Sequence, residues 1–147
     1  MRSKKRSGTS TARRKRPHVT FFLDRCLESH SLIDALTGEG ADIQRHSALF
    51  AVDAPDTERL PEVGRRGWVV LSKDKHIRRN ELERQAFLGA NVRAIILTAG
   101  ELTGREMAAL FVKHLRKMSN MAVSEPAPFV ASVTGSEVRI MDRGGRR

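Results

Sequence analysis

Asp24 and Asp74 each follow a short apolar run. Phe21-Phe22-Leu23 delivers the first and Val69-Val70-Leu71-Ser72-Lys73 the second. Such runs read as buried strands. In an open parallel sheet, ligands bind beyond the carboxyl ends of the strands. If these two strands are neighbours, both carboxylates enter one crevice, where they repel unless a cation or a proton neutralises them. Oxygen-only donors favour Mg²⁺ or Mn²⁺ over zinc. A third carboxylate can come from Asp56 or Glu58, which begin a short helix; Glu62 and Asp53 are weaker candidates. Each of these acids also has a structural explanation. Asp24 and Asp74 can cap the turn or helix that follows each strand, and Asp56 and Glu58 can complement a helix dipole.

Lys73, Lys75, Arg78 and Arg79 flank Asp74. They can hold a phosphate backbone, or form an ordinary solvated helix face. His30, His46 and His114 lack zinc-like spacing and read as surface or core histidines. Cys26 has no evident histidine partner and reads as a buried thiol. Trp68 opens a strand and reads as core rather than as a platform for bases.

The elements that must position these residues alternate. Strands are expected over 18–23, 41–46, 67–72 and 92–97. Helices are expected over 29–38, capped by Ser29 or Ser31, over 56–64, imperfect because of Pro61, and over 76–89 with Ile77, Leu82, Ala86 and Leu88 apolar. Residues 50–57 read as a loop. Thr103 and Glu106 make a capping-box pattern that opens a helix to about Met118. Its stripe of Met107, Phe111 and Met118 reads as core or as a dimer face. Residues 128–141 read as a hairpin around Thr134-Gly135-Ser136. Four strand–helix alternations argue for an α/β fold, a mostly parallel sheet covered on both faces.

At 147 residues the chain suits one domain. Its net charge of +10 is unevenly placed. Residues 1–17 hold eight of the 27 Lys/Arg and none of the 17 Asp/Glu, and residues 143–147 hold three more Arg. Positions 18–142 therefore carry 16 basic residues against all 17 acids. The expected organisation is a basic, disordered N-terminal tail over 1–17, one domain over 18–141 and a basic tail over 142–147. Such a tail attracts polyanions without reading sequence, or simply solubilises. The lone cysteine excludes an internal disulfide framework and makes a reducing, cytoplasmic location the expectation. No secretory h-region and no membrane-length apolar stretch is present, so no membrane association is expected.

Three stretches together resemble the PIN-like nucleases. They are Phe21-Phe22-Leu23-Asp24-Arg25, Pro55-Asp56-Thr57-Glu58-Arg59-Leu60-Pro61-Glu62-Val63, and Gly67-Trp68-Val69-Val70-Leu71-Ser72-Lys73-Asp74-Lys75-His76-Ile77-Arg78-Arg79. With Leu97-Thr98-Ala99-Gly100 and Leu102-Thr103-Gly104, the likeness is to the VapC-type toxin branch and covers about residues 19–140. It implies a three-layer α/β/α fold with a central, mostly parallel sheet. It implies a metal-dependent endoribonuclease in which Asp24, Asp56 and Asp74 bind Mg²⁺ or Mn²⁺ with Glu58 as helper, leaving 5′-phosphate and 3′-hydroxyl ends. It also implies RNA as substrate, a cognate antitoxin protein as partner, and compatibility with a homodimer. The chain departs from the family in one respect. Where PIN domains often carry a fourth acid soon after the third, it has Lys75, His76, Arg78 and Arg79.

Other sheet-edge chemistries fit less well. A phospho-acceptor receiver domain needs a second acid after its first strand and a lysine ending a late strand. Here Arg25-Cys26 follows Asp24, and Ile95-Ile96-Leu97-Thr98 has no lysine. A haloacid-type phosphatase needs Asp-x-Asp, which Asp24-Arg25-Cys26 does not supply. The alternative of another class is a non-catalytic RNA-binding or protein-interaction module, in which the acids only cap helices.

Overall fold

A computed structural model of the chain describes residues 17–49 and 56–144, without the side chains of Asp56, Thr57, His76 and Arg78. Six strands form one sheet: β1 (Thr20–Leu23), β2 (Asp42–Arg45), β3 (Val69–Ser72), β4 (Arg93–Leu97), β5 (Phe129–Val133) and β6 (Val138–Asp142). Their order is β2-β1-β3-β4-β5-β6. The first five are parallel, and β6 pairs antiparallel with β5 as the expected hairpin. From β1 the chain steps outward to β2, then crosses back to lay β3 on the other side of β1. The crevice between the carboxyl ends of β1 and β3 is therefore a topological switch point, where open α/β sheets bind ligands.

Side chains alternate across the sheet. Phe21, Leu23, Val69, Leu71 and Ile95 face one layer, formed by α1 (His30–Gly38), α6 (Gly104–Lys113) and α7 (Leu115–Ser124). Phe22, Val70, Ala94 and Ile96 face the other, where α3 (Asp56–Arg66), α4 (Lys75–Arg79) and α5 (Glu81–Gly89) contribute Leu60, Val63, Ile77, Phe87 and Leu88. Fully burying one such Phe or Leu stabilises the fold by about 2 kcal/mol. The three-layer α/β/α architecture is as expected.

Several elements differ from expectation. The helix expected over 76–89 is two, because Asn80 leaves the helical conformation and accepts from Glu83 N–H at 3.2 Å as the cap of α5. Leu82 is consequently 83% exposed rather than core, and Ala86 is exposed too. The helix expected to end near Met118 also breaks, at His114, and α7 continues to Ser124. Its Met107, Phe111 and Met118 are buried within the chain, which settles that stripe as core. Pro61 does not shorten α3, which runs eleven residues around it. A further short helix, α2 (His46–Leu49), follows β2 directly. Strand β6 extends to Asp142, one residue past the expected domain edge.

Two expected features hold in detail. Ser29 caps α1 by accepting from Leu32 N–H, and Thr103 and Glu106 form a reciprocal capping box. Gly64 lets α3 approach the α5–β4 turn, since a Cβ there would lie 2.1 Å from the Ala90 carbonyl oxygen. Among the described residues no helix is long and apolar enough to cross a membrane.

Candidate active site

Strand β1 ends at Leu23, and the pairing continues one step as Asp24 N–H donates to the Leu71 carbonyl at 3.0 Å. That bond fixes Asp24 at the mouth of the switch point. Its Oδ1 accepts from Arg25 N–H at 2.8 Å, capping the 3₁₀ turn Arg25–Leu27, so the capping role is real. Its Oδ2 turns across the crevice and accepts from the Ser72 hydroxyl at 2.8 Å. Ser72 is the fully buried last residue of β3. The same hydroxyl oxygen accepts from Asp74 N–H at 3.0 Å. One serine thus ties the two acid-bearing segments together, and a carboxylate still has lone pairs to offer after two hydrogen bonds.

Asp24 and Asp74 both line a cleft of about 1030 Å³. Arg25, Arg59, Lys73, Lys75 and Arg79 line it too, with Glu101, Thr98 and Gly100 from the β4–α6 connection. The cleft therefore carries more cations than acids among its described lining, which suits a polyanionic ligand. Arg59, from α3, lies 4.0 Å from Asp24 Oδ1, and both side chains are more than four-fifths buried.

Two neighbours of Asp24 have shifted protonation. Burial first, and then the Asp24 carboxylate, push the Cys26 thiol up. The thiol is therefore protonated at neutral pH, with its sulfur 3.8 Å from Asp24 Oδ2 and 3.5 Å from Ser72 Oγ. Cys26 is a surface residue by exposed area, rather than the buried one expected, with its sulfur packed inward against Ser72 and Asp24. His46 is buried at the start of α2, and burial followed by the Arg59 cation holds its imidazole below the ordinary value. It faces the cleft as a neutral ring.

Of the residues singled out from sequence, Asp24, Asp74, Lys73, Lys75 and Arg79 come together. Glu58 does not join them. It lies on a separate depression with Leu49, Glu62, Arg66 and Trp68. Glu62 is ion-paired with Arg65 and Arg66. Trp68 stacks on Phe22 at 5.9 Å between centroids, beneath the Arg66 guanidinium. The side chains of Asp56 and Arg78, and Asp53 altogether, lie outside the described residues. Among the described residues no group of three or more His, Cys, Asp or Glu is placed to hold a metal ion.

Ser72, Arg59, His46 and Glu101 had not been singled out as site residues. Glu101 carried a readable signal, an acid shortly after the apolar run Ile95-Ile96-Leu97. Arg59 carried a weaker one, standing three residues after Asp56 and so on the same helix face.

A family model described as a PIN-like domain matches residues 19–99, which run from β1 through β4. The chain belongs to the PIN-like domain family. The match takes in both acid-bearing strand ends and Arg59. The chain is also similar to a protein of Mycobacterium tuberculosis named "Putative ribonuclease VapC45", with 24% identity over 121 residues, 80% of this chain and 87% of that one. No solved structure matches it. The expected PIN-like membership is borne out, and the mycobacterial relative carries the VapC name of the expected branch.

Proposed function

We propose that this PIN-like domain is a metal-dependent endoribonuclease, the toxin of a toxin–antitoxin pair. The observation that carries the reading is the tie of the Asp24 carboxylate to the Asp74 backbone through Ser72 at the switch point, inside a cleft whose described lining includes five cations. The ribonuclease name of the mycobacterial relative supports the substrate.

The donor chemistry fits Mg²⁺ or Mn²⁺. Mg²⁺ is commonly held by one or two carboxylates, with water and substrate phosphate completing its shell. Asp24 and Asp74 would hold the ion, and Asp56, one turn before Arg59 in α3, would be the third ligand. When bound, the ion supplies an acidified water and charge stabilisation. The chain's own part is to place the RNA. Lys73, Lys75 and Arg79, with Arg78 beside them, would hold the backbone phosphates in register, since phosphate contacts position without reading sequence. Ser72 joins the Asp24 carboxylate to the Asp74 backbone N–H and so braces the two acid-bearing segments against each other.

A second reading is favoured by one observation. Asp24 already caps a turn and stands beside Arg59, so its charge has a structural use without metal. On that reading the basic cleft binds RNA or a protein and cuts nothing.

The deciding experiment is cleavage of mixed cellular RNA with Mn²⁺, with Mg²⁺ and with chelator, beside Asp24→Asn and Asp74→Asn. The expected result is metal-dependent cutting that both substitutions remove while circular dichroism stays native. No cutting by the wild type, with no Mn²⁺-induced rise in melting temperature, would establish the binding module instead. A small antitoxin encoded in a neighbouring reading frame, which inhibits cutting when added, is the expected partner.

A further inference from the structure

Arg59 occupies a position the proposed chemistry does not yet use. Its guanidinium lies 4.0 Å from Asp24 Oδ1, within ion-pair range but too long for a hydrogen bond. Its side chain is 13% exposed, and the face it shows lines the cleft. Lys73, Lys75 and Arg79 are different, standing in the segment after β3, with Lys73, Lys75 and Arg79 all exposed. Holding a large cation in a mostly buried position beside an acid costs desolvation, which a lysine on the rim avoids. Helix α3 is anchored under the sheet by Leu60 and Val63, both fully buried. Arg59 is therefore presented from a rigid element directly beside the first acid.

Resting on the proposed nuclease reading, we propose that Arg59 is a catalytic residue that grips the scissile phosphate and also sets how tightly Asp24 binds the divalent ion. The two roles follow from one geometry. A phosphate drawn to an ion on Asp24 comes within reach of a guanidinium 4.0 Å from that carboxylate. The planar fork of arginine matches two phosphate oxygens, and it meets charge that grows there as the phosphodiester is attacked. In the free protein the same cation opposes a second cation at Asp24, because like charges at this range repel. Arg59 thus weakens metal binding until a phosphate neutralises it, which couples productive metal binding to the presence of RNA. Across the cleft Lys73, Lys75 and Arg79 add further positive charge, in the segment where related domains often carry a fourth acid.

The two roles move two measurements in opposite directions, which a merely structural arginine would not do. Arg59→Met is expected to lower the Mn²⁺ concentration that gives half the melting-temperature rise, while lowering kcat by roughly a hundredfold. Arg59→Lys keeps the charge but not the fork. It is expected to restore the wild-type Mn²⁺ half-point and to leave kcat far below wild type. Near wild-type kcat in Arg59→Met overturns the proposal. So does a Mn²⁺ half-point that rises in step with lost activity, because that marks Arg59 as support for Asp24. A lower melting temperature without metal in both variants, with the Mn²⁺ half-point unmoved, overturns it as well. A wild type that neither cuts RNA nor responds to Mn²⁺ overturns the nuclease reading itself; wild-type cutting with indifferent Arg59 variants overturns only the inference.

Discussion

The Ser72 hydroxyl donates to Asp24 at 2.8 Å and accepts from Asp74 N–H at 3.0 Å, so one buried oxygen spaces the two acid-bearing segments. Removing it leaves a carboxylate oxygen and an amide without that partner in a place mostly closed to water. An unmade hydrogen bond to a buried group costs about 1–3 kcal/mol. Ser72→Ala is expected to lose stability in that range in urea, and to cut RNA more slowly than its folded fraction explains. Wild-type stability and rate in that variant would count against the tie. Ser72 shows where sequence reading stops at this scale. Asp24 and Asp74 were legible because an acid ending an apolar run is unusual, whereas a serine in a strand is ordinary. Its role depends on a neighbour 48 positions away. Arg59 and His46 reach the cleft from helices whose placement is set by packing, which no local pattern records. Glu58 shows the reverse case, since its place at the start of α3 puts it on a separate depression with Leu49, Glu62, Arg66 and Trp68.

At the scale of elements, the last strand is pinned by charge. Asp142, ending β6, accepts from Arg84 Nε of α5 at 2.7 Å and from Gly144 N–H at 3.0 Å. The Gly144 bond first, and then Arg84 against the opposing effect of burial, hold its carboxyl below the ordinary value. A carboxyl depressed in the folded state binds protons less readily there than in the unfolded chain. Its stabilisation is thus complete above the unfolded value, near pH 3.9, and is lost as pH falls through the lower folded value. Asp142→Asn is expected to destabilise the protein at pH 6, with the difference from the wild type shrinking as pH falls below about 3.9. A constant difference across that range would show that the group's charge is not what holds β6. The strands and their order of alternation were legible, because apolar runs of four or five residues bounded by polar ones have one good explanation. The helix breaks at Asn80 and His114 were not. Apolar residues recur on both sides of each break, so periodicity reads straight across, and only the Asn80 cap and its turn reveal the change of direction.

For the whole molecule, charge is divided between parts. Residues 18–142 are close to neutral, while residues 1–16 hold eight Lys/Arg. Specific placement and overall attraction therefore separate. The cleft cations sit beside Asp24 and Asp74 and act on the phosphates nearest the acids. The N-terminal basic run can add contacts to any stretch of RNA, releasing counterions without selecting sequence. Each phosphate contact to a single strand adds about 0.7 to the slope of log K against log salt, so eight contacts add no more than about 5–6. Deleting residues 1–16 is expected to weaken RNA binding at low salt, to flatten that slope by up to this amount, and to leave the cleavage rate of bound RNA unchanged. The measurement is binding across a salt series with single-turnover cleavage on the same preparations. Equal slopes with and without the run would place RNA attraction in the cleft alone. An unchanged slope with a slower single-turnover rate would mean that the run acts at the site rather than along the RNA. The predicted outcome, a lower slope with an unchanged rate, follows because long-range attraction is screened by salt and chemistry inside a part-closed cleft is not.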